Sequence, residues 1–155
     1  MRRKDREMSE EFALKVFDSC EYAVMSMTDE KGLPYCLPMS LARDGEYIYF
    51  HCAEEGTKID ILRKHPDVCI TCAVNVHNAV DKFTVYYESA VIRGKAEEVT
   101  DRNEKIRGLN AICLKFTPSN MADFDNAIER SIGRTAVWKI RIEEITGKKK
   151  AMPIK

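Results

Sequence analysis

Residues 47–66 read YIYFHCAEEGTKIDILRKHP and decide how the chain folds. The apolar and aromatic run predicts a strand that ends near His51, followed by a short turn that ends at Gly56. Thr57 opens a helix, and Pro66 predicts that this helix ends before it, because the residue preceding a proline avoids helical geometry. The stretch is therefore a strand–turn–helix unit, on which the remaining strands assemble.

The start of this helix is a candidate phosphate site. The free N–H groups of a helix start carry about half a positive charge, and Lys58 adds a full one. Thr57 and Asp60 have the spacing of a capping box, in which side chain and backbone satisfy each other. The dipole disfavours a cation here by up to ~1 kcal/mol, so a lysine fits best where an anion meets it. The alternative is an ordinary surface helix with solvated Lys58, Arg63 and Lys64.

Composition predicts one globular domain spanning residues 1–155, with 45% hydrophobic and 32% charged residues. Twenty-five basic residues balance twenty-five acidic ones, so charge favours neither nucleic acid nor a membrane surface. No apolar run reaches the ~20 residues of a membrane span. The basic N-terminus is not followed by an apolar signal core, and we expect a cytoplasmic protein.

Six cysteines are present, and two of them, Cys69 and Cys72, have C-x-x-C spacing. They lie in a predicted strand, where residues three apart point to opposite faces and cannot share a metal. No second C-x-x-C completes a zinc site. We interpret them as small strand residues and predict no metal site.

The remaining sequence predicts six strands and three more helices, hence a mainly antiparallel barrel with helical additions. Pro34 and Pro38 mark an edge or bulge, Gly94 predicts a bend, and the lysines after Gly147 predict a solvated tail. The predicted strands span residues 22–28, 33–43, 46–52, 68–76, 83–99 and 135–145, the further helices 9–19, 101–115 and 121–130, and a loop 77–82.

The order of several short motifs resembles a known family. These are PMS at 38–40, YFH at 49–51, GTK at 56–58, HPDV at 65–68, ESAVIRGKA at 88–96 and a final Trp-bearing strand that closes in ITGK. The chain is similar to flavin-binding split-barrel proteins related to pyridoxamine 5′-phosphate oxidase, and most similar to their nitroimidazole-resistance (Nim) branch. The resemblance implies a six-stranded antiparallel split barrel and a homodimer with FMN at its interface.

The same resemblance implies which residues contact FMN. They are Pro38, Met39, Ser40, Phe50, His51, Cys52, Thr57, Lys58, Ser89 and Trp138. Lys58 and the amides near Thr57 would hold the phosphate, and residues 38–40 would run along the isoalloxazine. Ser89 would bond the cofactor from within the barrel, and Trp138 would either flank the flavin or belong to the core.

His51 is the candidate catalytic residue, a proton donor close to flavin and substrate. The alternative is a satisfied histidine at a strand end. The implied function is reduction of a small, electron-poor, nitroaromatic-like molecule with electrons from a nicotinamide donor. Three alternatives stay open: a non-catalytic flavin store or redox sensor, a split barrel using haem (on His51 or His65) or a deazaflavin, and a barrel without cofactor that serves in assembly. The C-terminus shows no Arg and His cluster for pyridoxamine phosphate, which argues against the vitamin-forming oxidation.

Overall fold

An antiparallel sheet of eight strands forms the body of the molecule in the computed structural model, which describes residues 2–80 and 82–152. The strands are β1 Glu7–Met8, β2 Ala23–Thr28, β3 Pro34–Met39, β4 Ala42–Asp44, β5 Tyr47–Cys52, β6 Asp67–Asn78, β7 Val85–Glu98 and β8 Ala136–Lys150. The α-helices are α1 Glu10–Ser19, α2 Thr57–Lys64, α3 Arg102–Phe116 and α4 Phe124–Ser131. No helix in these ranges is both long and apolar enough to span a membrane.

The strands follow the order β3-β2-β6-β7-β8-β5-β4, and β1 pairs with the far end of β8. Every pairing is antiparallel, which confirms the predicted mainly antiparallel fold with added helices. β3 lies at an edge of the sheet and pairs only with β2. Pro34 and Pro38, which lack an amide hydrogen, therefore disrupt no hydrogen bonding to a second neighbouring strand. The strand count is eight rather than six, because residues 33–43 form two strands, β3 and β4, and β1 adds a short one.

β5 is buried on both faces, which explains its unbroken apolar sequence. Ile48 and Phe50 belong to the main core inside the barrel, together with residues of α1 and α2. Tyr49 points the other way, into a second core that α3 and α4 cover. Gly108 of α3 makes this close approach possible, since an added Cβ would lie 2.6 Å from the Tyr49 ring.

β7 carries the irregularity that its length predicts. The register between β7 and β8 shifts between Arg93 and Gly94. A Cβ on Gly94 would overlap the carbonyl oxygen of Arg141 and lie 3.0 Å from Cγ2 of Ile140. Glycine at this position therefore lets two backbones approach closely at the bulge.

Two helix starts have side-chain caps. The Phe12 amide donates to Ser9 Oγ over 3.2 Å at the start of α1, and the Glu104 amide donates to Asp101 Oδ1 over 2.8 Å at the start of α3. The capping box predicted at Thr57 is wrong. The N-cap of α2 is Gly56, and no side chain caps that helix, so the Thr57 hydroxyl sits one residue too late for the role.

Two further predictions at strand ends are wrong. The lysines after Gly147 are not a solvated tail, because residues 147–150 continue β8 and pair with β7. The predicted loop 77–82 begins later, since β6 extends to Asn78; Asp81 of that loop lies outside the described residues. Backbone hydrogen bonds between neighbouring strands set the ends of β6 and β8, and these bonds continue through residues whose polar side chains face solvent.

Candidate functional site

The turn between β5 and α2 has a conformation that only glycine adopts easily. Gly56 has φ 130° and ψ 163°, a region in which other residues are strained by roughly 1–3 kcal/mol. Its carbonyl accepts from the amides of Ile59 and Asp60. The amides of Thr57 and Lys58 find no backbone partner in the described part of the chain. The helix start therefore presents two free donors, the ordinary basis of an anion site.

Lys58 adds a cation to this helix start, and no carboxylate of the described residues neutralises it. Within the described ranges no Asp or Glu oxygen lies within 4.0 Å of its ammonium group. Its Nζ lies 3.5 Å from Sδ of Met39 and 5.2 Å from the centre of the Phe50 ring. These contacts hold the half-buried Lys58 side chain in place, and its ammonium group can still donate hydrogen bonds to a ligand.

The neighbouring cations of α2 are already paired. Arg63 makes three hydrogen bonds of 3.1–3.3 Å to the carboxylate of Glu98. Lys64 lies 2.5 Å from Glu30. Among the three basic residues of this helix, Lys58 is the one positioned for an incoming anion, whereas the other two contribute surface ion pairs.

A groove of about 270 Å³ opens beside this helix start. Its floor and walls combine the turn with the edge strand β3; the lining residues are Tyr35, Leu37, Cys52, Ala53, Glu55, Gly56, Thr57, Lys58 and Ile59. Ligand sites for whole drug-sized molecules usually measure about 300–1,000 Å³. The groove therefore accommodates part of such a molecule, and the remainder has to lie outside it.

His51 and Cys52 end β5 next to this groove. Burial of part of the imidazole, and then the charge of Lys58, lower the pKa of the exposed His51 side chain below its ordinary 6.5. Burial raises the pKa of Cys52, and Lys58 opposes that rise. His51 is therefore mainly neutral near pH 7, and the Cys52 thiol stays protonated.

Of the ten residues predicted to bind cofactor, Cys52, Thr57 and Lys58 line the groove, and Met39 and Phe50 contact Lys58. His51 precedes Cys52 on β5 and does not line the groove. Pro38 is exposed and points away from its neighbours Leu37 and Met39, which pack against the main core. Ser40 is exposed in the link between β3 and β4. These two positions border the groove's edge strand without lining the groove.

Ser89 and Trp138 lie elsewhere. Ala90 of β7 points into the main core, so its neighbour Ser89 lies on the opposite face of the strand. Its contact with the cofactor stays a prediction. Trp138 is 2% exposed and stacks on Phe50, with ring centres 6.3 Å apart. The buried Nε1 of Trp138 has no hydrogen-bond partner among the described residues. The indole of Trp138 thus belongs to the core, which is one of the two positions that the sequence analysis allowed for it.

Tyr35 and Leu37 line the groove but were not predicted. Both alternate along β3 with Met39, so the three side chains share one face. The period-two alternation of β3 would have predicted that Tyr35 and Leu37 share the face of Met39, whereas Pro38 lies on the opposite face. A larger cleft of about 740 Å³ lies between α3 and β4, but its arginines Arg43 and Arg107 are already paired with aspartates.

The fold and the groove together define a split-barrel protein. The family model described as pyridoxamine 5′-phosphate oxidase matches residues 9–149, so the chain belongs to this family. The family predicted from the motif order is thereby confirmed. No curated protein matches the sequence.

Solved structures support the same assignment. A candidate 5-nitroimidazole antibiotic resistance protein from Bacteroides thetaiotaomicron is 25% identical, with TM-score 0.77 over 92% of this chain and 85% of that one. The FAD and heme binding protein from Mycobacterium smegmatis has 19% identity and TM-score 0.81 over 97% of this chain and 76% of that one. The flavocytochrome Anf3 from Azotobacter vinelandii has 22% identity and TM-score 0.74 over 99% and 73%.

Proposed function

We propose that this protein binds flavin mononucleotide, with the phosphate held at the start of α2. The unpaired Lys58 is the observation that carries this proposal. A phosphate at this point accepts hydrogen bonds from the Lys58 ammonium and from the free amides of Thr57 and Lys58. A dinucleotide flavin lacks the terminal monoester phosphate that matches such a helix start, which favours the mononucleotide.

A second copy of the chain completes the site in this proposal. The groove of about 270 Å³ covers only part of the cofactor, so another surface has to shield the flavin ring. Large apolar side chains are exposed along β6, β7 and the loop between them: Val76, Val80, Phe83, Val85 and Val91. Apolar exposure of this kind supports a homodimer. Ser89 lies on the same face of β7 as Val91, and in this proposal that face meets the partner.

The proposed activity is an oxidoreductase reaction on a small electron-poor molecule of the nitroaromatic class. When bound, the flavin supplies the transfer of electrons from a nicotinamide donor to that substrate. The similarity to the candidate 5-nitroimidazole resistance protein supports this substrate class. The six free cysteines support a reducing, cytoplasmic location for such a reaction.

His51 supplies or withholds a proton at the groove in this proposal. Burial and the charge of Lys58 lower the pKa of His51, so its imidazole is mainly neutral near pH 7. A phosphate on Lys58 offsets the second of these causes and raises the pKa of His51. Anion binding thereby makes the protonated form more available to a substrate above the groove.

An absorption spectrum of the purified protein, repeated after addition of FMN, tests the binding proposal. We expect a flavin spectrum and quenched flavin fluorescence at a 1:1 ratio of FMN to chain. Protein that ignores FMN would contradict the proposal, and a Soret band would instead indicate haem.

Turnover tests the catalytic part. FMN-loaded protein is mixed with NADH or NADPH and a nitroimidazole without oxygen, and loss of the nitro absorbance is followed. We expect reduction that depends on the loaded protein, with a lower rate in His51→Gln. Bound flavin without turnover would sink the oxidoreductase proposal and leave a non-catalytic flavin protein.

A further inference from the structure

The cleft of about 740 Å³ between α3 and β4 is separate from the groove at Lys58. The two share no lining residue. The volume of this cleft falls within the range of about 300–1,000 Å³ that is typical of sites for small organic molecules. The cleft is therefore large enough to be a ligand site of its own, whether or not a flavin occupies the groove.

One face of α3 forms the apolar wall of the cleft. Ile106, Ala111 and Leu114 lie on this face together with Asn103 and Asn110, because residues three, four and seven apart share one side of a helix. Ile106 and Ala111 pack at the margin of the second core, whereas Leu114 is 54% exposed. The side-chain amides of both asparagines have no hydrogen-bond partner among the described residues. This face thus combines apolar surface with free polar groups, as ligand pockets commonly do.

Lys115, near the end of α3, brings a fixed positive charge to the cleft. Its Nζ donates to the backbone carbonyls of Phe17 and Leu41 over 3.0 and 2.9 Å. The remaining partner is Sγ of Cys20 at 3.9 Å, a weak acceptor. In the described part of the chain, no Asp or Glu oxygen lies within 4.0 Å of this ammonium group. The position of the charge is therefore set by the fold, and its neutralisation is left to a ligand.

The other charged residues of the cleft are already paired with one another. Both oxygens of Asp18 accept from Arg43, over 3.0 and 2.5 Å, and Asp44 accepts from Arg107 over 2.5 Å. These two arginines and two aspartates cancel, so Lys115 leaves the lining with one net positive charge. Burial lowers the pKa of Lys115, because its ammonium group has lost part of its hydration. An anion in the cleft would stabilise that charge.

We propose that this cleft binds a small organic monocarboxylate, a molecule with one carboxylate group and an apolar body. The carboxylate accepts a charge-assisted hydrogen bond from Lys115. The apolar body lies against Ile106, Ala111 and Leu114, and the amide of Asn110 bonds a further polar group of the ligand. The single net positive charge of the lining matches one carboxylate, whereas a polyphosphate would bring charges that the cleft does not neutralise.

Titration of the full chain with benzoate and with benzamide, followed by ¹H–¹⁵N NMR, tests this proposal. Benzamide has nearly the same shape as benzoate but no charge. We expect saturable shift changes at the backbone amides of residues 110–115, with benzoate bound roughly tenfold or more tightly than benzamide, and the same result after addition of FMN. Equal affinities, or no saturable change in α3, would overturn the proposal. Changes confined to residues 56–58 would place the carboxylate in the other groove and would overturn it as well.

Three variants of α3 assign the binding to its residues. Lys115→Met should weaken benzoate binding roughly tenfold or more and leave benzamide binding unchanged. The control Lys105→Met removes a cation of the same helix that does not line the cleft, and it should bind both probes as wild type does. Lys115→Met also leaves two backbone carbonyls without their donor, so Leu114→Glu provides a test at an exposed position. Its carboxylate should repel benzoate, with roughly tenfold weaker binding, and affect benzamide much less. Benzoate affinity equal to that of wild type in Leu114→Glu would refute the assigned site.

Discussion

Replacement of Gly94 by alanine tests the account of the barrel at its tightest point. The added Cβ would overlap the carbonyl oxygen of Arg141 on β8, and it would also lie 3.1 Å from the carbonyl carbon. Both atoms belong to the backbone, so no side chain can turn aside to relieve the contact. β7 and β8 have to separate locally at the bulge.

The expected cost follows from two contributions. Overpacking of a close contact costs about 1–3 kcal/mol. Separation of the strands weakens about two ladder hydrogen bonds, each worth roughly 1 kcal/mol. The free energy of unfolding should therefore fall by about 3–5 kcal/mol, a large share of the ~5–15 kcal/mol typical of a domain.

Urea unfolding of Gly94→Ala and Gly133→Ala measures the difference. Gly133 is the matched control, because an added Cβ there meets nothing within 4 Å, and its substitution should change stability by less than about 1 kcal/mol. A Gly94→Ala protein within about 0.5 kcal/mol of wild type, with an unchanged urea slope, would refute the close approach of β7 and β8.

Three further predictions concern the groove and the core behind it. Gly56→Ala has open space around it but the wrong φ, and urea unfolding should show a loss of roughly 1–3 kcal/mol. In an NMR titration His51 should have a midpoint below 6.5. Since the folded state then binds fewer protons than the unfolded chain, the stability linked to His51 is complete above pH 6.5 and is lost as the pH falls toward that midpoint. Lys58→Met should raise the midpoint of His51, and an unchanged midpoint would contradict the electrostatic coupling between His51 and Lys58. Trp138→Phe removes a buried donor without a partner among the described residues, so it should cost about 1 kcal/mol or less, against about 3–5 kcal/mol for Trp138→Ala; equal losses would contradict this view.

The sequence predicted those parts of the fold that local chemistry decides. The alternation of strands and the prolines at the edge needed no knowledge of distant contacts. The Ser9 cap was predictable for the same reason. The capping box at Thr57 failed because residue spacing does not distinguish an N-cap from the first helical position. The φ of Gly56 decides between them.

Long-range register set the limits for the site. Ser89 is five residues from a bulge, and a shift of one residue reverses the face on which every side chain of a strand lies. The lysines at 148–150 were predicted to be solvated because they are charged, but side-chain charge does not reveal whether the backbone pairs with another strand, as it does here with β7. Lys58 was predicted from its place in the first turn of the helix. Only the coordinates show that, among the described residues, it has no carboxylate partner, whereas Arg63 and Lys64 each have one.

The central claim is that Lys58 binds the phosphate of flavin mononucleotide. The most direct test compares the affinities of FMN and of riboflavin, which lacks the phosphate, in wild type, Lys58→Met and the control Lys64→Met. A charge-assisted hydrogen bond is worth about 1.5–3 kcal/mol, so Lys58→Met should weaken FMN binding roughly 10-fold to 150-fold and leave riboflavin binding unchanged. Lys64→Met should bind both ligands as wild type does. Equal affinity of wild type and Lys58→Met for FMN would contradict the claim.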